Sequence, residues 1–189
     1  MKKVFVLMLA LMICLAFLAG CGSKEPAATD SQDTNAQAAQ TEISGDVFDA
    51  GEVSALVPAG WKAFAVSNIF SEEENATDPT AMQICKDAKE EWDLFSKPYL
   101  QINYYGADTS MEIYKDWYDD TEDLEPIKLD NYTWNGFTGK SMDYPVAVLW
   151  AEDGDDQFQV TIMLEMDDGK ISVDDADVKA ILASIKPSV

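Results

Sequence analysis

Val146-Ala147-Val148-Leu149-Trp150-Ala151-Glu152-Asp153-Gly154-Asp155-Asp156-Gln157-Phe158-Gln159-Val160-Thr161-Ile162-Met163-Leu164 is the stretch whose reading decides the fold. Val146–Trp150 is apolar throughout, as in a central strand covered on both faces. Asp153-Gly154 supplies a turn. Phe158–Leu164 then carries one strongly apolar face, the period-two pattern of a half-buried strand. Two strands joined this tightly pair antiparallel, so the domain is built on an antiparallel sheet.

Working outward, Val53–Val57 reads as a strand that stops at Pro58-Ala59-Gly60, and Trp61–Val66 as the next. Ser71–Thr77 reads as a loop. Thr80–Phe95 admits two readings. Asp78-Pro79 opens a helix with Met82, Cys85, Ala88, Trp92 and Phe95 at helical spacing, or Ala81–Cys85 is a strand followed by a charged loop; the strand is preferred. Tyr99–Tyr105 is a strand bounded by Pro98 and Gly106. Thr109-Ser110-Met111-Glu112 has the capping-box pattern, predicting a helix to about Asp119 with Met111, Tyr114 and Tyr118 on one face.

Ile127-Lys128-Leu129 leads into Tyr132–Lys140, where Asn135-Gly136 predicts a hairpin turn. Asp168-Gly169 marks another turn. A closing helix begins near Asp174-Asp175, acids placed well for the helix dipole. Val178, Ile181, Leu182 and Ile185 form its buried stripe, and Pro187 ends it. Strands, a helix, more strands and a final helix predict one α+β domain over residues 46–189, an antiparallel sheet with helices packed on it. Leu56-Val57-Pro58-Ala59-Gly60-Trp61, a strand running into a Pro-x-Gly-Trp turn, resembles PsbP-like domains. That resemblance implies an αβα sandwich, found in lipoproteins and accessory subunits, and it supplies no catalytic residues.

The N-terminus concerns location. Met1-Lys2-Lys3 is basic, Val4–Leu18 is apolar and uncharged, and Ala19-Gly20 are small, which together form a secretory leader. The run is shorter than the roughly 20 residues of a spanning helix. Leu18-Ala19-Gly20-Cys21 resembles the lipobox of bacterial lipoproteins. The resemblance implies that residues 1–20 are removed, that the Cys21 thiol carries a diacylglycerol, and that the protein sits on the extracytoplasmic face of the cell membrane. Two or more acyl chains anchor stably where one does not. Gly22–Gly45 holds one large apolar residue, Ile43, and reads as a disordered tether from Cys21 to residue 45. As a flexible coil it spans about 25–30 Å.

The chain has 35 acidic residues, 13 lysines, no arginine and no histidine, for a formal net charge of −22. Loss of Lys2 and Lys3 with the leader makes the remainder more negative still. Such a surface does not neutralise phosphates, which argues against nucleic acid and against attraction to anionic lipid. Cations, Ca²⁺ among them, and basic partners are the charges it attracts. Of three cysteines, Cys14 leaves with the leader and Cys21 takes the lipid. Cys85 remains, with no histidine to activate it, and reads as a buried structural thiol.

Acidic clusters recur at turns, where carboxylates can converge on a hard cation. Asp153, Asp155 and Asp156 are the candidate metal ligands, although no EF-hand spacing is present. Five tryptophans and seven tyrosines offer a stacking platform for a sugar or apolar ligand, with Trp117 and Trp134 expected to be the exposed ones. No Gly-x-Ser-x-Gly elbow, Walker motif or dinucleotide fingerprint occurs, and no cofactor is expected. Three readings follow. The first is a non-enzymatic lipoprotein that binds a protein partner or assists a membrane-associated complex. The second is a lipoprotein that binds a small ligand or Ca²⁺, and the third a cell-wall glycoside hydrolase using two carboxylates.

Overall fold

A computed structural model of the chain describes residues 43–188. The leader, Cys21 and the tether up to residue 42 lie outside the described residues. In chain order the strands are β1 (Gly45–Asp49), β2 (Val53–Pro58), β3 (Trp61–Ser67), β4 (Thr77–Lys86), β5 (Tyr99–Tyr105), β6 (Asp119–Asp123) and β7 (Ile127–Lys128). They continue with β8 (Thr133–Ser141), β9 (Tyr144–Asp153), β10 (Asp156–Met163), β11 (Glu165–Met166) and β12 (Gly169–Lys170). A helix, α1 (Ala176–Ser184), and β13 (Lys186–Pro187) close the chain. Short 3-10 turns occupy Glu91–Phe95 and Lys115–Trp117.

The large sheet has the order β3-β4-β5-β10-β9-β8-β6, with β7 pairing onto β8. Every pairing in it is antiparallel. β1, β2 and β13 form a second, three-stranded sheet, and β11 and β12 a small hairpin. The decisive stretch folds as read: β9 and β10 form a hairpin with Asp153 paired to Asp156, and Gly154 takes φ 64° in the turn. β9 is covered on both faces, with Val146 and Val148 buried on one and Ala147, Leu149 and Ala151 on the other.

The core lies on one face of the large sheet. Met82 and Ile84 of β4, Leu100 and Ile102 of β5, and Phe158, Val160 and Ile162 of β10 alternate into it. Trp134, Leu149 and the α1 stripe of Val178, Ile181 and Leu182 complete it. Each such Leu, Ile or Val contributes roughly 1.5–3 kcal/mol through burial. The stripe predicted for the closing helix, Ile185 included, is buried. Asn131 satisfies the carbonyls at the helix's C-terminal end, donating Nδ2 to Leu182 O at 2.9 Å and to Ile185 O at 3.2 Å. The chain then returns as β13 to pair with β2.

The α+β expectation, with helices packed on a sheet as an αβα sandwich, is corrected. Among the described residues the architecture is β-rich and antiparallel, with one nine-residue α-helix. The layer that packs on the core face combines α1 with β2 of the second sheet, and among the described residues no α-helix lies on the other face. The predicted helix at Thr109–Asp119 is absent. Residues 107–114 are irregular, a 3-10 turn follows, and Asp119 already belongs to β6. Met111 and Ile113 are half-buried while Glu112 and Tyr114 are exposed, so burial there follows an extended period. Helix nucleation is costly, and this sequence gives a helical stripe little to pack against.

Asn135-Gly136 is not a turn either. Both residues lie inside β8, paired with Trp150 and Leu149 of β9. A Cβ on Gly136 would collide with the Leu149 side chain and come within 2.6 Å of Val148 O, so the glycine permits close strand approach. The β8–β9 turn is Met142-Asp143, both residues at positive φ. In the ambiguous segment the strand reading holds: β4 runs through Lys86, and a charged loop with a 3-10 turn follows. Among the described residues no helix is long and apolar enough to cross a membrane.

Candidate binding face

Strand alternation places a second set of side chains on the sheet face away from the core. Cross-strand register aligns Ala81, Asn103, Gln159, Trp150 and Asn135 in one row across β4, β5, β10, β9 and β8. The adjacent row is Gln83, Gln101, Thr161, Val148 and Phe137. Ala81, Val148 and Phe137 are buried, Asn135 is exposed, and the other members of the two rows are half-buried. These two rows carry no charged side chain, on a chain of net charge −22.

The amides are held in place by one another. Gln101 Nε2 donates to Asn103 Oδ1 at 3.1 Å, and Tyr105 donates its hydroxyl to Gln159 Oε1 at 3.2 Å. Burial, with Asp78 adding a lesser effect, raises the Tyr105 hydroxyl above its ordinary value and keeps it a neutral donor. Residues 106–118 cross towards β6. Met111 N donates to Gln157 Oε1 at 3.2 Å. Tyr118 packs edge-on against Phe137 at 5.4 Å, and Lys115 lies 5.4 Å over the same ring.

Where β8 begins and β9 ends, the face opens into a shallow depression of about 490 Å³. Trp150, Asn135, Thr133, Asn131, Glu152 and Asp153 are among the residues lining it. Trp150 offers a half-buried ring, tilted against Phe137 at 6.3 Å. The face can therefore hydrogen-bond with amides in both directions and stack on a flat ring. Groups of that kind suit a neutral, polyhydroxylated ligand.

The expected metal ligands lie on the β9–β10 hairpin. Asp153 ends β9, Asp155 is in the turn and Asp156 begins β10. Asp156 Oδ1 accepts the Tyr104 hydroxyl at 2.6 Å, which pushes the Tyr104 hydroxyl up to about 12. Among the described residues no group of three or more His, Cys, Asp or Glu side chains is placed to hold a metal ion. Cys21 lies outside the described residues. Cys85 is buried, and burial, with the charge of Asp93 second, pushes its thiol up to about 11.

Trp117 is 75% exposed, as expected, and stacks on Tyr114 at 4.4 Å. Trp134 is fully buried, contrary to expectation, because the residue beside the supposed turn is mid-strand and points to the core. Sequence reasoning missed Trp150 and its amide neighbours. Their signal was the polar half of the alternation, Gln101 and Asn103 between Leu100, Ile102 and Tyr104, and Gln159 and Thr161 between Phe158, Val160 and Ile162. That pattern reads equally as an ordinary solvent face until register joins the strands. No protein-family model matches this chain, and no curated protein matches it by sequence.

Proposed function

We propose that this protein is a lipid-anchored, extracytoplasmic binding module whose sheet face away from the core takes a neutral glycan. The observation that carries the binding half is the uncharged amide and aromatic face centred on Trp150, Gln159, Asn103 and Asn135. Sugars present hydroxyls of both hydrogen-bonding senses and flat C–H faces, and this surface offers partners for each. Leu18-Ala19-Gly20-Cys21 supports the anchor. A glycan-binding module held by a tether serves a membrane-associated complex as an accessory part, without chemistry of its own.

The test has two arms. Titration calorimetry with soluble neutral oligosaccharides is expected to give binding that Trp150→Ala and Gln159→Ala each weaken about two- to tenfold, since a lost hydrogen-bonding partner costs roughly 0.5–1.5 kcal/mol. A broad oligosaccharide panel that gives no heat and no thermal shift removes the glycan reading. Separately, Cys21→Ser is expected to release the protein from membranes or to leave the precursor uncut. Unchanged processing and anchoring of that variant removes the lipoprotein reading.

A further inference from the structure

Resting on the lipid anchor just proposed, we propose that one end of the large sheet, bearing Trp92, Phe95 and Met142, docks into the interfacial layer of the membrane that holds the tether. The argument starts where the described chain begins. Ala59 N donates to Ser44 O at 3.4 Å, and Gly45 pairs with Pro58. Asp87 N donates to Gly60 O at 2.7 Å, and Trp61 pairs with Lys86. The segment leading back to Cys21 therefore leaves the domain beside the β4–β5 connection.

That connection presents two large apolar side chains to solvent. Trp92 is 75% and Phe95 73% exposed, and their rings stack at 5.7 Å. The turn bearing them is pinned by Asp93, whose carboxylate accepts the N–H of Lys89 at 2.6 Å and of Glu90 at 3.1 Å and pairs with Lys97 at 3.0 Å. The β8–β9 turn lies at the same end, since Ile162 pairs with both Leu100 and Ala147 and the turn follows from Tyr144. It lifts Met142 into solvent at 90% exposure.

Two physical considerations select a membrane as the occupant. Trp is enriched at the headgroup level, where its ring is half solvated. A tether of this length keeps the end within reach of its own bilayer, and the high effective concentration lets a weak apolar contact suffice. Charge does not oppose that contact: Lys62, Lys86, Lys89 and Lys97 stand among Asp87, Glu90, Glu91 and Asp93 beside the aromatic turn, so the contact is apolar rather than electrostatic.

The experiment places the lipidated full-length product in phosphatidylcholine vesicles containing acyl-brominated lipid, and reads tryptophan quenching. The wild type is expected to be quenched, and Trp92→Phe to lose about half or more of that quenching, as an interfacial indole would contribute. Trp92 is exposed, so the substitution is expected to leave the thermal midpoint unchanged. Quenching that is absent, or unaltered in Trp92→Phe, overturns the docking while the anchor stands. A patch that instead mediates self-association or captures a protein, leaving lipid unquenched, overturns it equally. A product never recovered with membranes overturns the anchor and the docking together.

Discussion

Trp61 donates its indole N–H to Asp177 Oδ2 at 3.0 Å, tying the start of the large sheet to the first turn of α1 across 116 residues. Asp177 also complements the positive end of the helix dipole. Trp134, by contrast, is fully buried with its Nε1 unpartnered among the described residues. Both rings lose similar apolar area on truncation to phenylalanine, but only Trp61 loses a hydrogen bond to a charged group. Urea unfolding is expected to show Trp61→Phe as the more destabilising change by about 1–2 kcal/mol. Equal costs, or the reverse order, would remove the assigned role of the Trp61–Asp177 bond.

Asn131 bridges the end of α1 with two donated hydrogen bonds, while its Oδ1 accepts from Tyr132 N at 2.8 Å. Asn131→Asp sets a carboxylate against two helix carbonyls at the negative end of the dipole. The expected loss is about 2–4 kcal/mol in chemical denaturation. A neutral result would show that solvent replaces the side chain.

Met142 and Asp143 hold φ of 51° and 72°, a left-handed pair that Asn-Gly adopts far more easily. Met142→Asn with Asp143→Gly is expected to stabilise the fold by about 1 kcal/mol. An unchanged or lowered unfolding midpoint would argue against strain in this turn.

Burial lifts the Cys85 thiol from an ordinary value of 9.0 to about 11. The unfolded chain therefore loses this proton first, and the thiol's share of stability is full below about pH 9 and falls as pH rises through about 11. A steeper alkaline loss of stability in the wild type than in Cys85→Ala is expected. Native protein at pH 8 is expected to resist thiol-specific alkylation at Cys85 until denaturant is added. Rapid labelling without denaturant would contradict its burial.

Much of the strand framework was legible locally. Phe158–Leu164 and Tyr99–Tyr105 alternate, and Val146–Trp150 is continuously apolar, so periodicity alone located them. The α1 stripe was legible for the same reason. Thr109–Glu112 misled because a capping box reports only how a helix could start, and the residues after it found no surface to cover as a helix. Asn135-Gly136 misled because its turn propensity was weaker than seven residue pairs between β8 and β9.

By itself the sequence determined the strands around Val53–Val57, Trp61–Val66, Tyr99–Tyr105, Val146–Trp150 and Phe158–Leu164 and which stripe of the last helix is buried. Tertiary structure alone decided that Trp134 is buried and Trp150 is not, and that Asn103, Gln159 and Asn135 share one row. It also decided that Ser44 lies against the Ala59-Gly60 turn, which abuts the start of the β4–β5 connection at Asp87. The physical reason is register: a one-residue slip would turn every side chain of a strand to the other face. Register is fixed by contacts between residues far apart in the chain, which no local pattern reports.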